Sequence, residues 1–184
     1  MNRSVAWRLA LGVTTAIFGS SSGHAVTYMT AAEARAALVP DAQSFVDRSA
    51  TLSADQRTAI RRASGTSARG PKVSVWEARG SGGRLLGWVY VDQVLGKHEY
   101  ITYAVAFDAR GAVTGIEILD YRETYGDEIR NPRWRAQFRG KALGAELKLD
   151  RDIRNISGAT LSCRHVTDGV KRLLATHATL FGRA

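Results

Sequence analysis

Ser157-Gly158-Ala159-Thr160-Leu161-Ser162 sets three hydroxyls around two small residues, just where an apolar 3.6-residue periodicity begins. The first turn of a helix has backbone N–H groups without an intrahelical partner and carries a partial positive charge. Such an end is a site for phosphate. Gly158 and Ala159 let a bulky group come close to the backbone. The chemistry these residues point to is a hydroxyl, that of Thr160, carrying or contacting a phosphorylated ligand, with Ser157, Gly158, Ala159 and Ser162 around it. A Ser or Thr before a helix is also an ordinary N-cap, so the motif alone leaves both readings open.

A second cluster, Asp120-Tyr121-Arg122-Glu123-Thr124-Tyr125-Gly126-Asp127-Glu128, follows a strand expected over Val113–Leu119. Polar residues and a Gly directly after a strand predict a loop at a sheet end, where binding residues often sit. Taken by itself, Glu123 is a solvated carboxylate or a partner of Arg122. Cys163, three residues past Thr160, reads as a small helix residue packed near the motif.

The elements that must position these clusters are legible in outline. Residues 30–38 read as a short helix ended by Pro40, and Ser53–Ala63 as a second with Ser53 as N-cap. Ser64–Pro71 reads as a linker. Strands are expected at Lys72–Ala78, Leu85–Val91, Glu99–Phe107 and Val113–Leu119. In the third of these, Ile101, Tyr103, Val105 and Phe107 alternate on one face. Asp108–Gly111 forms a hairpin turn. Asn131-Pro132 opens a short helix carrying Trp134 and Phe138. The last helix, from about Ser162 to Phe181, has Val166, Val170, Leu173, Leu174, Leu180 and Phe181 on one face. The expected class is α+β, a twisted antiparallel sheet flanked by helices, with an amphipathic C-terminal helix after Ser-Gly-Ala-Thr.

Composition narrows the function classes. Arg3 and Arg8, an apolar run Leu9–Phe18 and small residues up to Ala25 read as a signal peptide over 1–25. The apolar run is too short for a membrane span. The mature chain is expected outside the cytoplasm, in the periplasm, with residues 26–70 an N-terminal helical segment and linker and 71–184 the main domain. Lys and Arg number 26 against 17 Asp and Glu, a formal net charge of +9, or +7 without Arg3 and Arg8. The basic residues are dispersed, and with export this argues against nucleic acid as a partner. One cysteine allows no internal disulfide. His98, His165 and His177 lack zinc-ligand spacing, so no metal site is expected. A nicotinamide fingerprint of the G-x-G-x-x-G type is absent from the sequence.

Ser157-Gly158-Ala159-Thr160 resembles the flavinylation motif of FMN-binding domains, found in the sodium-pumping NADH:quinone reductase, in the Rnf complex and in stand-alone exported proteins. Glu123-Thr124-Tyr125-Gly126 matches three of four positions of that family's Glu-Thr-Pro-Gly loop. Order and context agree as well, over residues 85–180. The resemblance implies FMN joined to Thr160 through a phosphoester, by a separate magnesium-dependent flavin transferase that uses FAD and releases AMP. It implies Glu123 and Thr124 beside the isoalloxazine ring. It also implies an electron carrier between a membrane-bound donor and a redox acceptor, rather than a stand-alone enzyme. The chain departs from the family at Arg154, where an Asp is usual and for which Asp150 or Asp152 could substitute, and at Tyr125, where the family has Pro. The rival readings are an exported module that holds FMN or another phosphorylated ligand noncovalently, a hydrolase using Ser162 or Thr160 with His165 and Asp168, and an assembly protein without cofactor.

Overall fold

Alternation builds the centre of the molecule. In the computed structural model, which describes residues 26–67, 69–123 and 125–182, the strands are β1 (Val26–Thr27), β2 (Ser44–Asp47), β3 (Ala50–Thr51), β4 (Lys72–Arg79), β5 (Leu85–Leu95), β6 (Tyr100–Asp108) and β7 (Val113–Tyr121). The helices are α1 (Ala31–Leu38), α2 (Ala54–Ser64), α3 (Pro132–Arg135) and α4 (Thr160–Phe181). The sheet order is β1-β7-β6-β5-β4-β2, with β3 also on β4, and every pairing is antiparallel. The fold is α+β. The signal peptide expected at 1–25 and the candidate Thr124 lie outside the described residues.

β6 shows why the helices sit where they do. Ile101, Tyr103, Val105 and Phe107 face the main core, which α4 covers with Val166, Val170, Leu173 and Leu174. The intervening Ala104 and Ala106 face the other way, with Val89 and Leu119, toward Ala34 of α1. Small residues on that face let a short helix approach, while the large ones on the opposite face fill the space under a long one. Burying each of those large side chains contributes about 1.5–3 kcal/mol.

Local signals set the boundaries. Thr30 and Ser53 close capping boxes at the starts of α1 and α2, with Glu33 and Gln56 reaching back to the cap N–H. Gly65 ends α2 in the left-handed region, at φ 76°. Asn131 accepts from Arg133 N–H with Pro132 at the first helical position, as expected. Three departures from the sequence reading stand out. β5 runs four residues past Val91, to Leu95. α4 begins at Thr160 rather than near Ser162. And β1, β2 and β3, none of which was expected, draw residues 26–51 into the sheet. No helix among the described residues is long and apolar enough to cross a membrane.

Candidate functional site

α4 starts without a side-chain cap. Its N-cap is Ala159, whose carbonyl takes the first intrahelical bond from Cys163 N–H at 2.9 Å, and among the described residues no side chain caps the backbone N–H groups of the first turn. The N–H groups of Thr160, Leu161 and Ser162 therefore lack the usual Ser or Asp partner. Gly158 approaches in the left-handed region, at φ 89°. Ser157 and Gly158 are exposed, Thr160 is half-buried and Ala159 is buried. An open positive helix end thus carries an accessible hydroxyl.

The two motifs come together. A cleft of about 620 Å³ is lined by Gly158, Ala159, Thr160, Leu161 and Ser162 on one side, and by Glu123, Tyr125, Gly126 and Glu128 on another. Lys97 and His98, in the turn between β5 and β6, complete it. Antiparallel register explains the meeting: Ile101 at the start of β6 pairs with Tyr121 at the end of β7, so the turn before one and the loop after the other share a sheet end. Lys97 and His98 were missed in the sequence, although a meander of β5, β6 and β7 places that turn beside that loop.

Glu123 ties these two walls to each other. Its Oε1 accepts from His98 N–H at 2.6 Å and Glu99 N–H at 3.0 Å. Burial pulls its carboxyl upward, but the backbone N–H groups of Glu99, His98 and Lys97 outweigh that and hold it below the usual carboxylate range. The carboxylate leans so close to the turn that a Cβ on Gly96 would sit 2.5 Å from Oε1. Arg122 pairs instead with Asp120, at 2.9 Å.

Ser162 lies under the cleft, 5% exposed. Its Oγ is 3.0 Å from the hydroxyl of Tyr121, which donates to the Tyr125 carbonyl at 2.6 Å. Burial pushes the Tyr121 phenol up to about 12, so it remains a neutral donor. Gly126, at φ 98°, permits this packing, since a Cβ there would meet the Tyr121 oxygen. Trp134 and Phe138 are buried and packed edge to face. Tyr125 is 82% exposed at the cleft rim.

The other candidate roles resolve by geometry. Burial raises the Cys163 thiol, the opposite of a thiolate-favouring site. A hydrolase arrangement is not assembled: Ser162 bonds Tyr121, and His165 Nδ1 is engaged by the Leu95 carbonyl. Asp152 is bound by Lys141 Nζ, Leu147 N–H and Lys148 N–H. The side chain on Thr160 is instead that of Asn155, whose Nδ2 donates to Oγ1 at 2.9 Å.

Residues 96–175 match the family model of the FMN-binding domain. No curated protein matches the chain. Among solved structures, Shewanella oneidensis NqrC is similar at 18% identity and a TM-score of 0.49, over 71% of this chain and 66% of that one. Every residue lining the cleft, from Lys97 to Ser162, falls within the stretch that is similar to the FMN-binding domain.

Proposed function

We propose that this protein is an exported electron carrier whose FMN is bound covalently, through a phosphoester to Thr160. The observation that carries the reading is the cleft, which joins an uncapped helix start bearing an accessible threonine to the Glu123 loop inside the family match. The residues suit the group. A volume of about 620 Å³ falls in the range of small-molecule sites. The N–H groups of the first turn of α4 suit a phosphate, and exposed Tyr125 offers an aromatic face. FMN when bound supplies one- or two-electron transfer, chemistry that no side chain of the chain provides.

The chain's own residues then have separate tasks. Thr160 holds the cofactor against loss, which matters outside the cytoplasm, where dissociated FMN is not replaced. Glu123 fixes the turn carrying Lys97 and His98 against the loop carrying Tyr125. Tyr121 and Ser162 form a fixed floor. A flavin transferase using FAD and magnesium is the partner that modifies Thr160. A membrane-bound donor and a redox acceptor are the electron partners, and the periplasm is the compartment, on the strength of the leader-like residues 1–25.

The test is intact mass of the exported protein co-expressed with a flavin transferase, as wild type and as Thr160→Ala. The expected outcome is a gain of one FMN less water in the wild type that disappears in Thr160→Ala. An unmodified wild type, with the transferase active on a control substrate, would reject the covalent link. Yellow protein losing its flavin on denaturation would instead favour noncovalent binding at the same cleft.

A further inference from the structure

Asn155 belongs to neither motif, yet it is the side chain bonded to the Thr160 hydroxyl. Its Nδ2 donates to Oγ1 at 2.9 Å, and its Oδ1 is buried without a hydrogen-bond partner among the described residues. The backbone around it is held on both sides. The Arg154 carbonyl accepts from Trp134 Nε1 at 2.9 Å, and Arg154 N–H donates to Gln137 Oε1 at 2.8 Å. On the other side the Ile156 carbonyl accepts from Ala159 N–H at 3.0 Å.

We infer that Asn155 is the positioning residue for phosphoester formation at Thr160, its amide N–H holding Oγ1 by one lone pair and leaving the second lone pair and the hydroxyl proton to the reaction. The inference rests on Thr160 being the acceptor. In that reaction Oγ1 forms a bond to the FMN-side phosphorus of FAD. The bond from that phosphorus to the bridging oxygen breaks, and its electron pair leaves with AMP. The hydroxyl proton passes to solvent, and nothing is oxidised or reduced.

Two features favour placement over stability as the task of Asn155. A buried acceptor without a donor costs free energy, and an apolar side chain of similar size would avoid it. And the donor is the orientation that survives the reaction. An amide N–H bonds an alcohol oxygen and an ester oxygen alike, whereas an amide oxygen would need the proton that esterification removes. The hydrogen bond is thus available before and after the phosphoester forms, and it fixes the direction of attack.

The experiment follows intact mass over time with purified full-length protein, transferase, FAD and magnesium, for wild type, Thr160→Ala, Asn155→Ala and Asn155→Asp, with a thermal melt of each. Asn155→Ala is expected to slow the mass gain by about 10- to 100-fold, the scale of a lost positioning contact, without lowering the melting temperature. Asn155→Asp keeps the shape but presents no donor when ionised. It is expected to be as slow at pH 8 and to recover relative to wild type only as pH falls toward about 4, the ordinary Asp range, where its carboxyl becomes an O–H donor. Asn155→Ala shows no such recovery. Wild-type rates in Asn155→Ala, or in Asn155→Asp at pH 8, would overturn the role of Asn155 and leave Thr160 as acceptor. No mass gain in wild type, with the transferase active on a control substrate, would overturn both. Should Asn155→Ala fail to fold, the pH dependence of Asn155→Asp relative to wild type decides.

Discussion

Glu123 was expected beside the ligand, and it reaches the cleft wall by an indirect route. Its oxygen bridges two backbone N–H groups of the neighbouring turn, which anchors Lys97 and His98. Glu123→Ala is therefore expected to cost about 1 kcal/mol in urea unfolding, the low end for bonds to a charged group, because the carboxylate is partly solvated. Amide exchange at His98 and Glu99 should rise sharply in that variant. Unchanged exchange there would show that the anchor is not formed in solution. The sequence displays this residue but not this role: its partners lie 24 and 25 positions away, and only the β6–β7 register brings them near. Asn155 was invisible for a related reason. It sits in irregular chain before a motif, with no periodicity to mark it, and the side chains that hold the preceding Arg154 backbone, Trp134 and Gln137, come from an earlier segment.

At the scale of elements, the site depends on how closely α4 lies on the sheet. Gly169 is the point of contact, and a Cβ there would overlap the hydroxyl of Tyr103. That hydroxyl cannot swing aside freely, because it donates to Asp92 Oδ2 at 2.9 Å, which also binds Arg172 of α4 at 2.5 Å. Gly169→Ala should destabilise the protein by about 1–3 kcal/mol, the usual cost of overpacking, and calorimetry or denaturant melts would measure it. The elements themselves were largely readable. β6 alternates strictly, and α4 keeps its apolar stripe from Val166 to Leu174, so each period identifies its element. β1, β2 and β3 escaped because they are two to four residues long, and the residues of β2 and β3 are exposed or half-buried. Their identity comes from pairing with β7 and β4 rather than from their own pattern.

For the whole molecule, stability is tied to pH by one side chain. His177 is 7% exposed among Trp88, Tyr90, Phe107 and Phe181, with Nδ1 2.8 Å from the Tyr90 hydroxyl. Burial drives it down to about 4 against its ordinary 6.5, and Asp108 opposes this only weakly. Below 6.5 the unfolded chain takes up a proton that the folded one refuses until about pH 4. Stability contributed by the neutral ring is therefore complete above 6.5 and lost as pH falls through that window, by up to about 3 kcal/mol. Chemical denaturation between pH 7 and 4 should show this loss, and His177→Gln should flatten it. Equal slopes in the two proteins would place the acid sensitivity elsewhere.

The chain's single cysteine has a use that follows from where it lies. Cys163 is fully buried one turn beyond Thr160, with Ala159 in the same apolar cluster. A thiol reagent reaches it only when the beginning of α4 lifts off the sheet, and the raised ionisation threshold keeps the closed form inert. The labelling rate is thus a native stopwatch for local opening at the floor of the cleft, read without attaching any probe.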